Sequence, residues 1–119
     1  MRSFKGDPRS PFMAPRGVAT DGTALVVADT GQNRVFVWHR IPDTETAPAD
    51  AILGQRDVLG TARNAGGAPG RDTLHYPSGV WTDGTRLVVA DAWNHRVLVW
   101  HALPAGHGPP ADVILGQGD

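Results

Sequence analysis

Residues 15–55 read PRGVATDGTALVVADTGQNRVFVWHRIPDTETAPADAILGQ, and residues 77–117 read PSGVWTDGTRLVVADAWNHRVLVWHALPAGHGPPADVILGQ. The two stretches align without a gap at an offset of 62 residues, and 25 of their 41 paired positions are identical. Agreement of that extent marks a duplicated structural unit, and a repeat decides the architecture before any residue is read for chemistry.

Each copy carries the same local signals. Asp21-Gly22 and Asp83-Gly84 stand between apolar runs, a strong hairpin signal because glycine accepts the positive φ of a tight turn. Strands are predicted over Gly17–Thr20, Leu25–Ala28, Arg34–Trp38 and Ala51–Leu53, with a polar loop at Asp29–Asn33 and a Pro-rich turn from Ile41 to Pro48. Helical periodicity is absent, so each unit reads as four short antiparallel strands. The second and third strands are apolar on consecutive residues. A sheet with one wet face alternates; a sheet covered on both faces need not. Such units want a neighbour on each side, and radial stacking of four-stranded sheets is the propeller solution.

The bulk composition agrees. Gly 15 and Pro 10 make about a fifth of the chain, which suits many turns between short strands. With 19% charged and 40% hydrophobic residues, the chain fits neither a disordered polyelectrolyte nor a membrane protein. A net charge of -1 provides no global field for nucleic acid or anionic lipid. Arg2, Lys5, Arg9 and Arg16 against Asp7 make the first residues basic, and we read them as solvated chain first and a phosphate contact second. The absence of cysteine excludes disulfides, thiolate metal sites and cysteine nucleophiles. The opening MRSFKGDPRSPFMAP has no apolar run for a signal peptide, and no stretch could span a bilayer. Taken as complete, the chain is expected in the cytoplasm; as a piece of a longer precursor, its targeting lies elsewhere.

At this point the residues resemble a known family. Pro-x-Gly-Val at Pro15–Val18 and Pro77–Val80, then Val-Val-Ala-Asp at Val26–Asp29 and Val88–Asp91, are similar to the NHL repeat. Gln32-Asn33-Arg34-Val35 and Asn94-His95-Arg96-Val97 resemble its asparagine-histidine-arginine-valine segment, the second copy more closely. Ile-Leu-Gly-Gln at Ile52–Gln55 and Ile114–Gln117 is similar to a variant in bacterial NHL proteins. The resemblance implies an all-β fold of propeller blades, commonly six to a ring, in proteins that bind protein or RNA or, in some relatives, act as lyases or hydrolases. On that basis the chain divides into an N-terminal segment (1–14, the end of a preceding linker), blade one (15–55), an inter-blade loop (56–76) and blade two (77–117). Two blades form a partial propeller and leave apolar sheets exposed, beyond the roughly 400 Å² that soluble monomers tolerate. Self-assembly (three chains giving six blades), further blades of a longer chain, or another protein would cover them. A fragment of a longer chain is the plainest expectation.

Asp29 and Arg34 recur as Asp91 and Arg96, at a spacing that lets carboxylate and guanidinium pair across the loop; we expect loop-fixing pairs that need no ligand. Trp38-His39 and Trp100-His101 recur likewise and read as strand-end packing. Where the copies differ, a ligand has more room to matter. Thr30-Gly31-Gln32-Asn33 becomes Ala92-Trp93-Asn94-His95, which sets Trp93 near a loop tip, packed on the neighbouring blade or the linker, or free to contact a partner. Ala19 becomes Trp81 on the innermost strand, expected to fill space, with lining of a propeller channel as the alternative. Residues 56–76 show no helix or strand pattern, and Gly66-Gly67-Ala68-Pro69-Gly70 reads as a flexible loop. In a propeller this connection shares a rim with the loop between strands two and three. The candidate partner surface is therefore Arg63, Asn64, Arg71, His75, Tyr76, Trp93, Asn94 and His95.

The leading expectation is a non-catalytic binding module for a protein, peptide or glycan, with no cofactor and no metal. A metal-assisted enzyme would draw on His75, His95 and Asp91, of which His75 and His95 face Met13 and Asn33 in the first copy. Single-stranded RNA binding would use Arg63, Arg71, Tyr76 and Trp93, a thin set of basic and aromatic residues that the net charge does not favour.

Overall fold

The computed structural model describes residues 12–57 and 59–116; the basic residues Arg2, Lys5 and Arg9, with Asp7, and the closing Gln117 lie outside them. The described chain is all-β and forms two sheets. Strands β1 (Gly17–Thr20), β2 (Leu25–Asp29), β3 (Arg34–Trp38) and β4 (Ala51–Leu53) are antiparallel neighbours in that order. Strands β5 (Pro77–Thr82), β6 (Leu87–Asp91), β7 (Arg96–Trp100) and β9 (Val113–Gly116) repeat the arrangement in the second sheet. The short β8 (Gly106–His107) leaves its own unit and adds to the first sheet, parallel to β4. Among the described residues no helix is long and apolar enough to cross a membrane.

The entry hairpins close for a chemical reason. Asp21 Oδ1 accepts the backbone N–H groups of Thr23 (3.0 Å) and Ala24 (2.8 Å), and Asp83 Oδ1 those of Thr85 (3.0 Å) and Arg86 (2.8 Å). A short carboxylate thus supplies acceptors for N–H groups that the four-residue reversal leaves without a ladder partner.

Register sorts each sheet into two apolar faces. The rows Ala19–Val26–Val37–Ala51 and Gly17–Ala28–Val35–Leu53 lie on one face of the first sheet, here called trailing. Val18–Val27–Phe36–Ile52 lies on the other, the leading face. The trailing face of the first sheet packs on the leading face of the second, where Leu87, Val89, Leu98 and Trp100 join Val26, Val35, Val37 and Leu53 in one buried cluster. Each such side chain contributes about 1.5–3 kcal/mol by leaving water. The leading face of the first sheet forms a smaller cluster of Val27, Phe36, Trp38 and Ile52, with the Phe12 ring edge-on to Phe36 at 5.2 Å.

The trailing face of the second sheet is different. Its rows are Trp81–Val88–Val99–Val113 and Gly79–Ala90–Val97–Leu115, and Trp81 and Leu115 on it are exposed. Trp81 therefore does not fill space within the chain, as its sequence position suggested. Its ring is covered only in part, by the Arg86 guanidinium 5.9 Å from its centroid.

Residues 56–76 are more ordered than their composition implies. A tight turn forms at Arg63–Gly66, with Asn64 and Ala65 in the left-handed region at φ 51° and 52°, and Gly54 bridges to Thr73. Buried Gln55 donates its amide to the carbonyls of Ala62 (2.6 Å) and Asn33 (3.0 Å), and Leu74 is buried in the seam between the sheets. Backbone groups left without a ladder must find other partners, and here side chains from both units supply them. Among the described residues no buried side-chain nitrogen or oxygen lacks a partner.

Candidate functional site

The loops joining β2 to β3 and β6 to β7 are built to one plan. Asp29 Oδ2 accepts from Arg34 Nε at 2.9 Å and from the Gln32 amide at 2.8 Å, while Oδ1 accepts the Met13 N–H at 2.7 Å. Asp91 Oδ2 accepts from Arg96 Nε at 2.8 Å and from the Asn94 amide at 2.7 Å, while Oδ1 accepts the His75 N–H at 2.8 Å. Both carboxylates and both guanidinium groups are sealed from water. The expected pairing across each loop is present in both units. Its reach is longer than spacing alone suggests, because each Asp also anchors the chain entering the first strand of its unit. Arg96 extends further, donating to the carbonyls of Gly70 (2.7 Å) and Thr73 (3.0 Å). Charge-assisted bonds of this kind, out of water, hold loop tips rigidly.

On that frame sits a group of rings. Trp93 lies 5.2 Å from the His75 ring and 4.9 Å from the Tyr76 ring, centroid to centroid, and its backbone N–H donates to the His75 carbonyl at 3.2 Å. It still exposes 59% of its surface. The guanidinium of Arg16, from the first unit, stands 5.9 Å from the Tyr76 ring centroid. Tyr76 is fixed from beneath by its N–H, which donates to Asn33 Oδ1 at 2.9 Å. The cluster therefore straddles the junction of the two units. Asn94 donates to Asn64 Oδ1 at 2.7 Å, and the Thr73 hydroxyl donates to the same oxygen at 3.1 Å, so the linker and the loop tip form one surface.

Five of the residues proposed from sequence thus gather: Asn64, His75, Tyr76, Trp93 and Asn94. His95 is exposed beside them, in the left-handed region at φ 58°. Arg63 is exposed on the linker turn. Arg71 is drawn away, its guanidinium donating to the Asp112 carbonyl at 3.2 Å near the start of β9. Arg16 was missed in the sequence because nothing in its vicinity signals that Tyr76, 60 residues on, packs against it.

Among the described residues no group of three or more His, Asp or Glu side chains could hold a metal ion. Asp91, needed for such a site, has both oxygens committed to Arg96, Asn94 and the His75 backbone. The repeated Trp-His pairs close turns. Trp38 and Trp100 donate their indole N–H to the carbonyls of Ala47 (3.1 Å) and Pro109 (3.2 Å). His39 Nε2 lies 3.0 Å from the Pro104 carbonyl, a contact that requires the ring proton on Nε2.

At the opposite end of the strands from Trp93, a hollow of about 470 Å³ is lined by residues including Trp38, Arg40, Asp43 and Asp50. Sequence reading gave no sign of it. Its polar groups already serve the turn, since Asp50 Oδ2 accepts the His39 N–H at 2.7 Å, and we give it no binding role. Comparison with protein-family models yields no match. Comparison with curated proteins yields none either.

Proposed function

We propose that this chain comprises two blades of an NHL-type β-propeller and serves as a non-catalytic binding module. The blade assignment draws support from two four-stranded antiparallel units packed face to face, with the Asp–Arg loop pairs at the motif positions. The partner is a protein or peptide, with a glycan as the nearest alternative, and it docks on the rim around Trp93. One observation carries this reading: a tryptophan, 59% exposed, packed against His75 and Tyr76 on a loop anchored by a buried ion pair. A large aromatic already ordered in the free state loses little entropy on binding, the character of an interface hot spot.

The test is selection of peptide ligands for the full chain from a random phage-displayed library, followed by affinity measurement with Trp93→Ala. A loss of about tenfold or more, or roughly 1.4 kcal/mol, is expected with the circular dichroism spectrum of the folded chain retained. Ligands indifferent to Trp93→Ala would overturn the assignment of the surface. Tight binding of single-stranded RNA with a steep salt dependence would favour nucleic acid as the partner.

A further inference from the structure

The net charge of -1 conceals a separation of charge along the strands. Antiparallel register puts Asp21 and Asp83 at one end of the two sheets, and the Asp29–Arg34 and Asp91–Arg96 loops at the other. The Asp-Gly end also receives the turns that follow Trp38 and Trp100. It exposes Asp21, Asp43, Glu45, Asp50, Asp83 and Asp112. Its formal cations are Arg40 and Arg86, and Arg86 is already paired with Asp83 at 2.6 Å. The end that carries Trp93 is the reverse. Asp29 and Asp91 are buried there and matched by Arg34 and Arg96, which leaves no surface carboxylate in either loop.

Two exposed arginines remain beside Trp93 with no ion pair among the described residues. Arg16 stands over Tyr76, whose ring lies 4.9 Å from Trp93. Arg63 adjoins Asn64 in the chain, and Asn64 is tied to Asn94, the residue after Trp93. The open indole is thus flanked by a cation on each side, one from the first unit and one from the linker. The His75 ring packs on it, and His95 is exposed two residues on. The other linker cations have acids of their own. Asp57 follows Arg56, and Asp72 follows Arg71, which is drawn off to the Asp112 carbonyl.

We propose that the Trp93 rim takes an acidic peptide segment: one apolar or aromatic side chain covers the indole, and carboxylates to either side meet Arg16 and Arg63. This rests on the reading of Trp93 as a docking residue and adds the charge of what docks. An exposed cation adds little affinity in water, but two of one sign, placed on either side of the anchor, choose the partner by rejecting like charge. The rest of the molecule works in the same sense. A segment rich in carboxylates is turned away from the Asp-Gly end and steered to the Trp93 end. A nucleic-acid strand fits less well. Single-strand binding stacks successive bases on open rings along a basic groove. Here Trp93 is open, while Tyr76 is half-covered between Arg16 and Trp93.

Three sets of fluorescently labelled peptides test this with the full chain. Every peptide has a central aromatic residue, flanked by Glu in one set, Ser in the second and Lys in the third. At low salt the Glu set should bind about tenfold tighter than the Ser set, with the Lys set weakest. The gap should close as salt shortens the Debye length from about 30 Å to about 3 Å. Arg16→Glu combined with Arg63→Glu should reverse the order and favour the Lys set, with the circular dichroism spectrum of the parent. Arg16→Gln and Arg63→Gln should each narrow the gap about two- to fourfold, so the test does not depend on the double variant folding. Equal binding of the Glu and Ser sets that is still weakened by Trp93→Ala overturns the charge proposal and leaves the docking reading standing. Binding of the Glu set that is indifferent to Trp93→Ala overturns both. No binding by any set overturns the proposal. So does single-stranded oligouridine binding more tightly than the Glu set at the same salt, in favour of nucleic acid.

Discussion

Asp91 Oδ2 and Arg96 Nε meet at 2.8 Å with both side chains withdrawn from water, and through Arg96 the same pair holds the carbonyls of Gly70 and Thr73. Removing one partner strands a buried charge. Arg96→Ala should therefore destabilise the fold by about 3–5 kcal/mol in urea unfolding. The exposed Arg86–Asp83 pair is shorter, at 2.6 Å, yet Arg86→Ala should leave the urea midpoint nearly where it was. Equal losses from the two variants would contradict this.

The entry hairpins contribute to acid sensitivity. The N–H of Arg86, its side chain and the N–H of Thr85 hold the Asp83 carboxyl well below its ordinary value; the N–H groups of Ala24 and Thr23 lower that of Asp21. A carboxyl depressed in the folded state stabilises the fold fully above its unfolded pKa, about 4, and loses that contribution as pH falls below it. The thermal midpoint should decline from about pH 4 downwards. Asp83→Asn, which keeps an acceptor but does not titrate, should make the decline shallower.

The hydroxyl of Thr30 serves the carbonyl of Pro77 across a buried seam. Thr30→Val preserves shape and removes the donor, so the carbonyl is left unpaired. A loss of about 1–3 kcal/mol is expected from chemical denaturation, and a change within a few tenths would show that the carbonyl finds another partner.

The repeat also offers a matched control. Leu53 and Leu115 occupy the same position in their units, one sealed and one open. Leu53→Ala should cost about 2–5 kcal/mol in urea unfolding, while Leu115→Ala should stay within about 0.5 kcal/mol.

Much of this architecture was legible before any coordinates. Strand positions β1 to β4 follow from the repeat and its Asp-Gly turns, and β2 runs one residue further than expected, to Asp29. The Asp–Arg pairs could be foreseen because both members lie in one loop. What escaped has a common cause. Gly106-His107 has no strand character of its own and becomes extended only because the edge of β4 is there to pair with. The linker looked loose because its order comes from Gln55, Asn64 and Arg96 acting at a distance. Trp81 was expected to be covered, but its neighbour would have to come from outside the chain. The aromatic cluster was half visible: Trp93 and Tyr76 stood out by type, whereas Arg16 joins them only through folding.

The parallel strap has a consequence for how the protein is made. Gly106 and Gly108 bond to the outer strand of the unit that precedes them, so the first sheet is not finished when its own residues have been synthesised. Its outer edge stays unpaired until residue 108 has left the ribosome, by which time β5, β6 and β7 have emerged. A nascent chain halted between the units carries a bare strand edge, the kind of template that recruits other chains. The second unit thus supplies the cover for the first unit's outer edge, and the order of translation delays that cover until three of its own strands are out.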